Sequence, residues 1–210
     1  ERTLRYDGLD QTRREIVFNP DTGAEYLLDL YAYNRHSSGT FVGDVRIVSE
    51  LTPTAGHGGC RWELLRSPQR FYAELHCDGR VVLGAEALDA AGHEFTLAGR
   101  LDEPIRFGRP IAVEFGHVDF RVYLKVDGRE VLTSTDEEYA PQLELLRTAP
   151  RARPVGLRIG ARDLAFELRR LRIDRDVHYT SRPVQTLRAM TGRPFALLAN
   201  EYFVMGDNSP

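Results

Sequence analysis

Between Phe120 and Val126 the chain alternates without a break: Phe120, Val122, Leu124 and Val126 fall on one phase, Arg121, Tyr123 and Lys125 on the other. A repeat of two is the period of an extended strand, whose successive side chains point to opposite faces of a sheet. This stretch therefore belongs to a sheet with one buried and one wet face. Asp127-Gly128 follows, the dipeptide best suited to a tight two-residue turn, and the chain continues into Arg129–Ser134. In that register Lys125 lies opposite Glu130, a cross-strand charge pair worth a fraction of a kcal/mol.

The same signals recur along the chain. Glu15–Asn19, Glu25–Asn34, Phe41–Leu51, His93–Leu97, Ile111–Phe115, Val155–Ile159 and Leu164–Ile173 read as further strands. Residues 60–77 read as a hairpin around Ser67-Pro68-Gln69, and Asp78-Gly79 marks the next turn. No long helix is expected; Tyr139–Arg147 has room for a short helical turn limited by Pro141. About ten short strands joined by Gly- and Asp-rich turns predict an all-β chain, an antiparallel β-sandwich of jelly-roll type. Residues 111–131 resemble the strand pair of concanavalin and laminin-G domains. The chain has 210 residues, 42% of them hydrophobic, enough for a substantial core. A net charge of -3 gives no pull toward nucleic acid. No apolar run is long enough to span a bilayer as a helix.

Several residues invite a chemical reading. A symmetric register about the 67–69 loop pairs Leu64 with Ala73, Trp62 with Leu75, and Cys60 with Cys77. That places the two sulfurs within disulfide range, and two reduced core cysteines are the alternative. His57, Cys60, His76 and Cys77 are metal-ligand types, but adjacent strand residues point to opposite faces, so no metal site is expected. The acids Asp136, Glu137 and Glu138 are contiguous, which suits a solvated turn better than a catalytic carboxylate pair. Trp62, Tyr31, Tyr33, Phe71 and Tyr72 could line a sugar or peptide groove, but aromatics on sandwich strands are more often core, and Trp62 shares a face with Cys60 and Leu64. No cofactor is expected.

The last residues, Asn200–Pro210 (NEYFVMGDNSP), are similar to the start of the final sequence box of bacterial type I signal peptidases, with Gly206, Asp207 and Asn208 on the motif. The resemblance implies a parent that removes signal peptides from secreted preproteins with a Ser nucleophile and a Lys base, held at the outer face of the cytoplasmic membrane by an N-terminal helix. It divides the chain into a sandwich insertion at 1–179, a connection at 180–194 and the start of a peptidase strand at 195–210. The chain's single lysine, Lys125, faces a carboxylate, which keeps it charged and disfavours a base role. The resemblance therefore implies a fragment with no catalytic residue of its own. The alternative expectation is a lectin-like sandwich that binds carbohydrate.

Overall fold

The computed structural model describes residues 44–66, 68–140, 156–175, 196–200 and 202, with four short strand segments ahead of them. The strands are β1 (Leu4–Asp7), β2 (Glu15–Phe18), β3 (Leu28–Asp29), β4 (Thr40–Phe41), β5 (Val45–Arg66), β6 (Gln69–His76), β7 (Arg80–Ala87), β8 (Phe95–Arg100), β9 (Ile111–Val118), β10 (Arg121–Val126), β11 (Arg129–Thr133) and β12 (Gly156–Arg175). No helix occurs among the described residues, and so none long and apolar enough to cross a membrane.

Two long strands organise the rest. β5 and β12 pair antiparallel along nearly their whole length, from Gly156 opposite Leu65 to Arg175 opposite Val45. Their two halves serve different neighbours. The first half of β5 pairs with β9, from Val45 opposite His117 to Leu51 opposite Ile111; the second half pairs with β6, from Gly59 opposite His76 to Arg66 opposite Gln69. One leaf therefore runs β11-β10-β9-β5 and the other β5-β6-β7-β8, joined through the shared ribbon. β1 and β2 add to β12 at Ala165–Leu168 and Leu157–Gly160, and β3 and β4 form a separate small pair.

The join between the leaves depends on close backbone approach. Gly56 has a φ of 108°, and a Cβ there would collide with the carbonyl of Asp163. Asp163 itself has a φ of 52°, at a register shift between Arg162 and Leu164. Bulges of this kind bend a strand and increase its twist. From sequence, one strand is expected to end at Leu51 and the next to start at Cys60. In the structure the chain bends there without losing its partner.

The alternation seen in the sequence sorts the faces as expected. Val122, Leu124 and Val126 are buried, as are Val45, Ile47 and Leu51, then Trp62 and Leu64 on the second half of β5. The inner faces of both leaves meet in one core, including Phe71, Phe115, Phe166 and Leu168. Each such side chain contributes about 1.5–3 kcal/mol by leaving water. Trp62 Nε1 donates to Ser49 Oγ at 3.3 Å, so the buried indole N–H is satisfied across the join. At the far edge Leu132 of β11 approaches Gly99 of β8, which brings the outer strands of the two leaves together. The architecture is the antiparallel sandwich that the strand pattern predicts.

The hairpin register differs from expectation. Arg66 pairs with Gln69, so only Ser67 and Pro68 remain for the turn, and every pair moves by two positions. Cys60 stands opposite Leu75, not Cys77. Both cysteines are free; Cys60 is buried with its Sγ 3.2 Å from the Gly160 carbonyl oxygen. A shift by two preserves the faces, which is why Trp62 and Leu64 still point inward. Asp127 and Gly128 form the expected turn, with φ of 49° and 78°. The short turn proposed beyond Tyr139 lies mostly outside the described residues.

Candidate functional site

The polar phases of β9 and β10 build a depression on the outer face of one leaf. Register aligns Tyr123, Gly116, Arg46 and Asp174 in one row across four strands. The next row on the same face begins Glu130, Lys125, Glu114. Gly116 is what makes the first row a hollow. A Cβ there would stand 2.8 Å from the Tyr123 ring, so the ring lies flat over the gap that the missing side chain leaves. The hollow has a volume of about 340 Å³ and is completed by Asp44 and Val118.

Its electrostatics follow from these neighbours. The Tyr123 hydroxyl donates to Glu114 Oε1 at 2.9 Å. Burial and that carboxylate together push the phenol up to about 12, so it remains a donor at neutral pH. Arg46 Nε and Nη2 both donate to Asp174 Oδ2, at 3.0 and 2.8 Å, and Arg46 Nη1 is 3.6 Å from Glu114. Burial works against Asp174, but its bonds to Arg46 and Arg172 outweigh it and hold the carboxyl below its usual range. Lys125 does stand opposite Glu130, as its register predicts, yet its ion-pair partner is Glu114 at 3.7 Å. Lys125 Nζ also sits 4.9 Å from the Tyr123 ring centre. A flat aromatic surface is thus bordered by both cations and carboxylates.

The other leaf carries the same device in a closed form. Tyr72 lies over Gly84 just as Tyr123 lies over Gly116. Here Arg61 covers the ring, its guanidinium carbon 4.0 Å from the centre, and Tyr72 is only 8% exposed. Arg61 also bonds Glu63 at 2.7 Å, Glu74 at 2.9 Å and Glu86 at 2.6 Å. This face is an ion network in which Glu63 Oε2 and Arg70 Nε alone are buried without a hydrogen bond among the described residues, and its aromatic surface is occupied.

A second cluster lies just beneath the depression. His117 is 1% exposed on the inner phase of β9. Asp44, Arg66 and Tyr139 contact its ring, and Phe71 packs 4.8 Å away. Burial, with Arg66 adding to it, holds the imidazole below its ordinary value despite Asp44. The neighbouring Phe120 has a φ of 58°, a left-handed conformation that bulky residues rarely adopt.

The residues singled out from sequence are scattered. Trp62 and Phe71 are core. Tyr72 is on the wet face but covered, while Tyr31, Tyr33, Gly206, Asp207 and Asn208 lie outside the described residues. Asp136 pairs with Arg121, and Glu138 caps Thr135, so the acidic run is a turn with local partners. His57 is exposed, His76 bonds Glu74, and among the described residues no three metal-ligand side chains converge. Arg46, Glu114 and Asp174, by contrast, escaped the sequence reading. They are 128 positions apart at the extremes, and only strand register brings them into one row.

No protein-family model and no curated protein sequence matches the chain. Solved structures do resemble it. A galectin of Caenorhabditis elegans shares 14% identity over 64% of this chain and 84% of its own, with a TM-score of 0.44. A carbohydrate-binding module of Bacillus subtilis shares 14% over 65% and 78%, at 0.41. An alginate lyase of Klebsiella pneumoniae shares 12% over 63% and 60%, at 0.43. At these values the likeness concerns the sandwich architecture and identifies no site. The reading of the C-terminal segment is corrected by the family comparison. With no protein-family model matching the chain, the signal peptidase resemblance is not sustained. The physical reason is that Gly, Asp and Asn are ordinary turn residues, so a short strand followed by Gly-Asp-Asn recurs by chance.

Proposed function

We propose that the chain is a carbohydrate-binding sandwich whose ligand rests on Tyr123 in the outer depression. The observation that carries this reading is the Tyr123 ring laid flat over Gly116, with hydrogen-bonding groups on both sides. A sugar ring presents an apolar C–H face and a rim of hydroxyls that both donate and accept. A flat aromatic suits the first, and alternating carboxylates and cations suit the second. Glu114, Asp174 and Glu130 accept from hydroxyls, while Arg46 and Lys125 donate to them. Binding, not bond cleavage, fits the site. Asp174 accepts two bonds from Arg46, which helps to hold its carboxyl below the usual range and leaves it unsuited to donate a proton.

The test is a panel of immobilised neutral, amine-bearing and acidic oligosaccharides, followed by titration calorimetry on any that bind. Tyr123→Ala should weaken binding at least tenfold, equivalent to about 1.4 kcal/mol. Tyr72→Phe, on the covered face, should leave it unchanged. A panel with no binder, or affinity indifferent to Tyr123, overturns the proposal.

A further inference from the structure

One carboxylate is shared between the depression and the buried histidine. Asp44, just ahead of β5, lines the depression, and its Oδ1 is 3.5 Å from His117 Nδ1. On the opposite side of the ring, Nε2 is 3.3 Å from the Tyr139 hydroxyl. These contacts fit one neutral tautomer: Nδ1–H donates to Asp44, and Nε2 accepts from Tyr139. Arg66 completes the surroundings. Its Nη1 is 2.8 Å from Nδ1 and 3.0 Å from Nε2. An atom so nearly equidistant from both ring nitrogens lies over the ring face, since in the ring plane it would overlap Cε1. Arg66 is also 4.0 Å from Asp44 and over Phe120 at 5.8 Å. The remaining neighbours, Phe71 and Phe120, carry no charge. The titratable and charged groups against the ring, among the described residues, are therefore Asp44, Arg66 and Tyr139.

We propose that His117 is a proton switch for the depression: on acidification the imidazolium draws Asp44 inward and expels the Arg66 guanidinium from its ring face, withdrawing a carboxylate from the outer surface. A neutral imidazole tolerates a cation over its face; an imidazolium does not, least of all in a buried site where Coulomb terms are poorly screened. Asp44 is the anion within reach, so it becomes the counter-ion. Asp44 and Arg66 each have about a quarter of their side chain exposed, 26% and 25%, which gives both room to move. Tyr139 adapts without moving, since its oxygen can accept from Nε2–H instead of donating. Asp44 also fits its role before protonation. Burial raises its carboxyl, but contacts to His117, the Asp119 backbone and Arg66 bring it below the usual range. Where the imidazole is neutral, the Asp119 and Arg66 contacts remain to hold it ionised.

The proposal requires no sugar, so it stands or falls apart from the binding assignment. The experiment is a residue-resolved NMR titration of the unliganded full chain from pH 8 to 4.5. It follows the His117 ring, the Asp44 carboxyl carbon and the Val118 methyls. Val118 lines the depression and has no titrating group of its own. The expected result is that Asp44 and Val118 shift with the midpoint of His117, and that this midpoint lies below the ordinary histidine range. In Asp44→Asn the Val118 transition should vanish, and the His117 midpoint should fall further as the counter-charge is lost. Val118 signals that stay still while His117 titrates overturn the proposal. So does an imidazole that remains neutral to pH 4.5, or a Val118 transition that survives in Asp44→Asn. The wild-type titration decides the matter even if that variant does not fold.

Discussion

Replacing Arg61 by Met tests whether the covered face of the second leaf is a structural ion network. Arg61 holds three carboxylates, and the critical one is Glu63, whose side chain is only 4% exposed. One oxygen of Glu63 takes the Arg61 bond at 2.7 Å; the other, Oε2, has no hydrogen-bond partner and faces Arg70 Nε at 3.9 Å. Without Arg61, Glu63 is a buried charge with no hydrogen bond from a side chain. Removing one partner of a buried pair costs about 3–5 kcal/mol. Arg70 still supplies some field, so the lower end, about 3 kcal/mol, is expected. With a urea slope of about 3 kcal/mol/M for a chain of this size, the midpoint should fall by about 1 M at unchanged slope. Arg61→Met with Glu63→Met removes the stranded charge and should return stability to within about 1 kcal/mol of the parent. A loss below about 1 kcal/mol in the single variant would mean the network behaves as an exposed ion pair. A double variant no better than the single would refute the stranded-charge argument itself.

Three further outcomes follow from the same geometry. His117 has its folded value depressed, so the unfolded chain takes up the proton first; stability should be full above about pH 6.5 and decline as pH falls from there through the folded value, and His117→Asn should flatten that decline in thermal melts at pH 5 and 7.5. Gly84→Ala places a Cβ 2.6 Å from the Phe95 carbonyl oxygen, a backbone atom that cannot yield, and should cost about 1–3 kcal/mol; Gly116→Ala meets chiefly the movable Tyr123 ring, and should spare stability in the same melts while abolishing sugar binding. Thiol titration of the native protein should modify Cys77 and leave Cys60 untouched until the chain unfolds, because Cys60 is buried with its thiol raised well above the ordinary range and Cys77 is only half-buried.

The division between sequence and tertiary structure can be drawn residue by residue. The alternation at 121–126 dictates a half-buried strand, because side-chain direction in a strand is set by backbone geometry alone, whereas Phe120, read as its first residue, stands in the preceding turn. Asp127-Gly128 dictates its turn for the same local reason, and with turn and phase known, Lys125 must face Glu130. Trp62 was assignable to the core because even a two-residue register shift leaves its face unchanged. What the sequence could not decide is what depends on contacts far apart in the chain. The continuity of β5 through Pro53 and Gly56 requires β12 alongside, more than a hundred residues later. The ion partner of Lys125 is Glu114 because β9 flanks β10 on its other side. Tyr72 and Tyr123 are both strand tyrosines in sequence, and register sets each over a glycine, Gly84 and Gly116. Tertiary structure set the Arg61 guanidinium 4.0 Å from the centre of the first ring and lined a hollow with the second, over which Lys125 Nζ stands at a looser 4.9 Å.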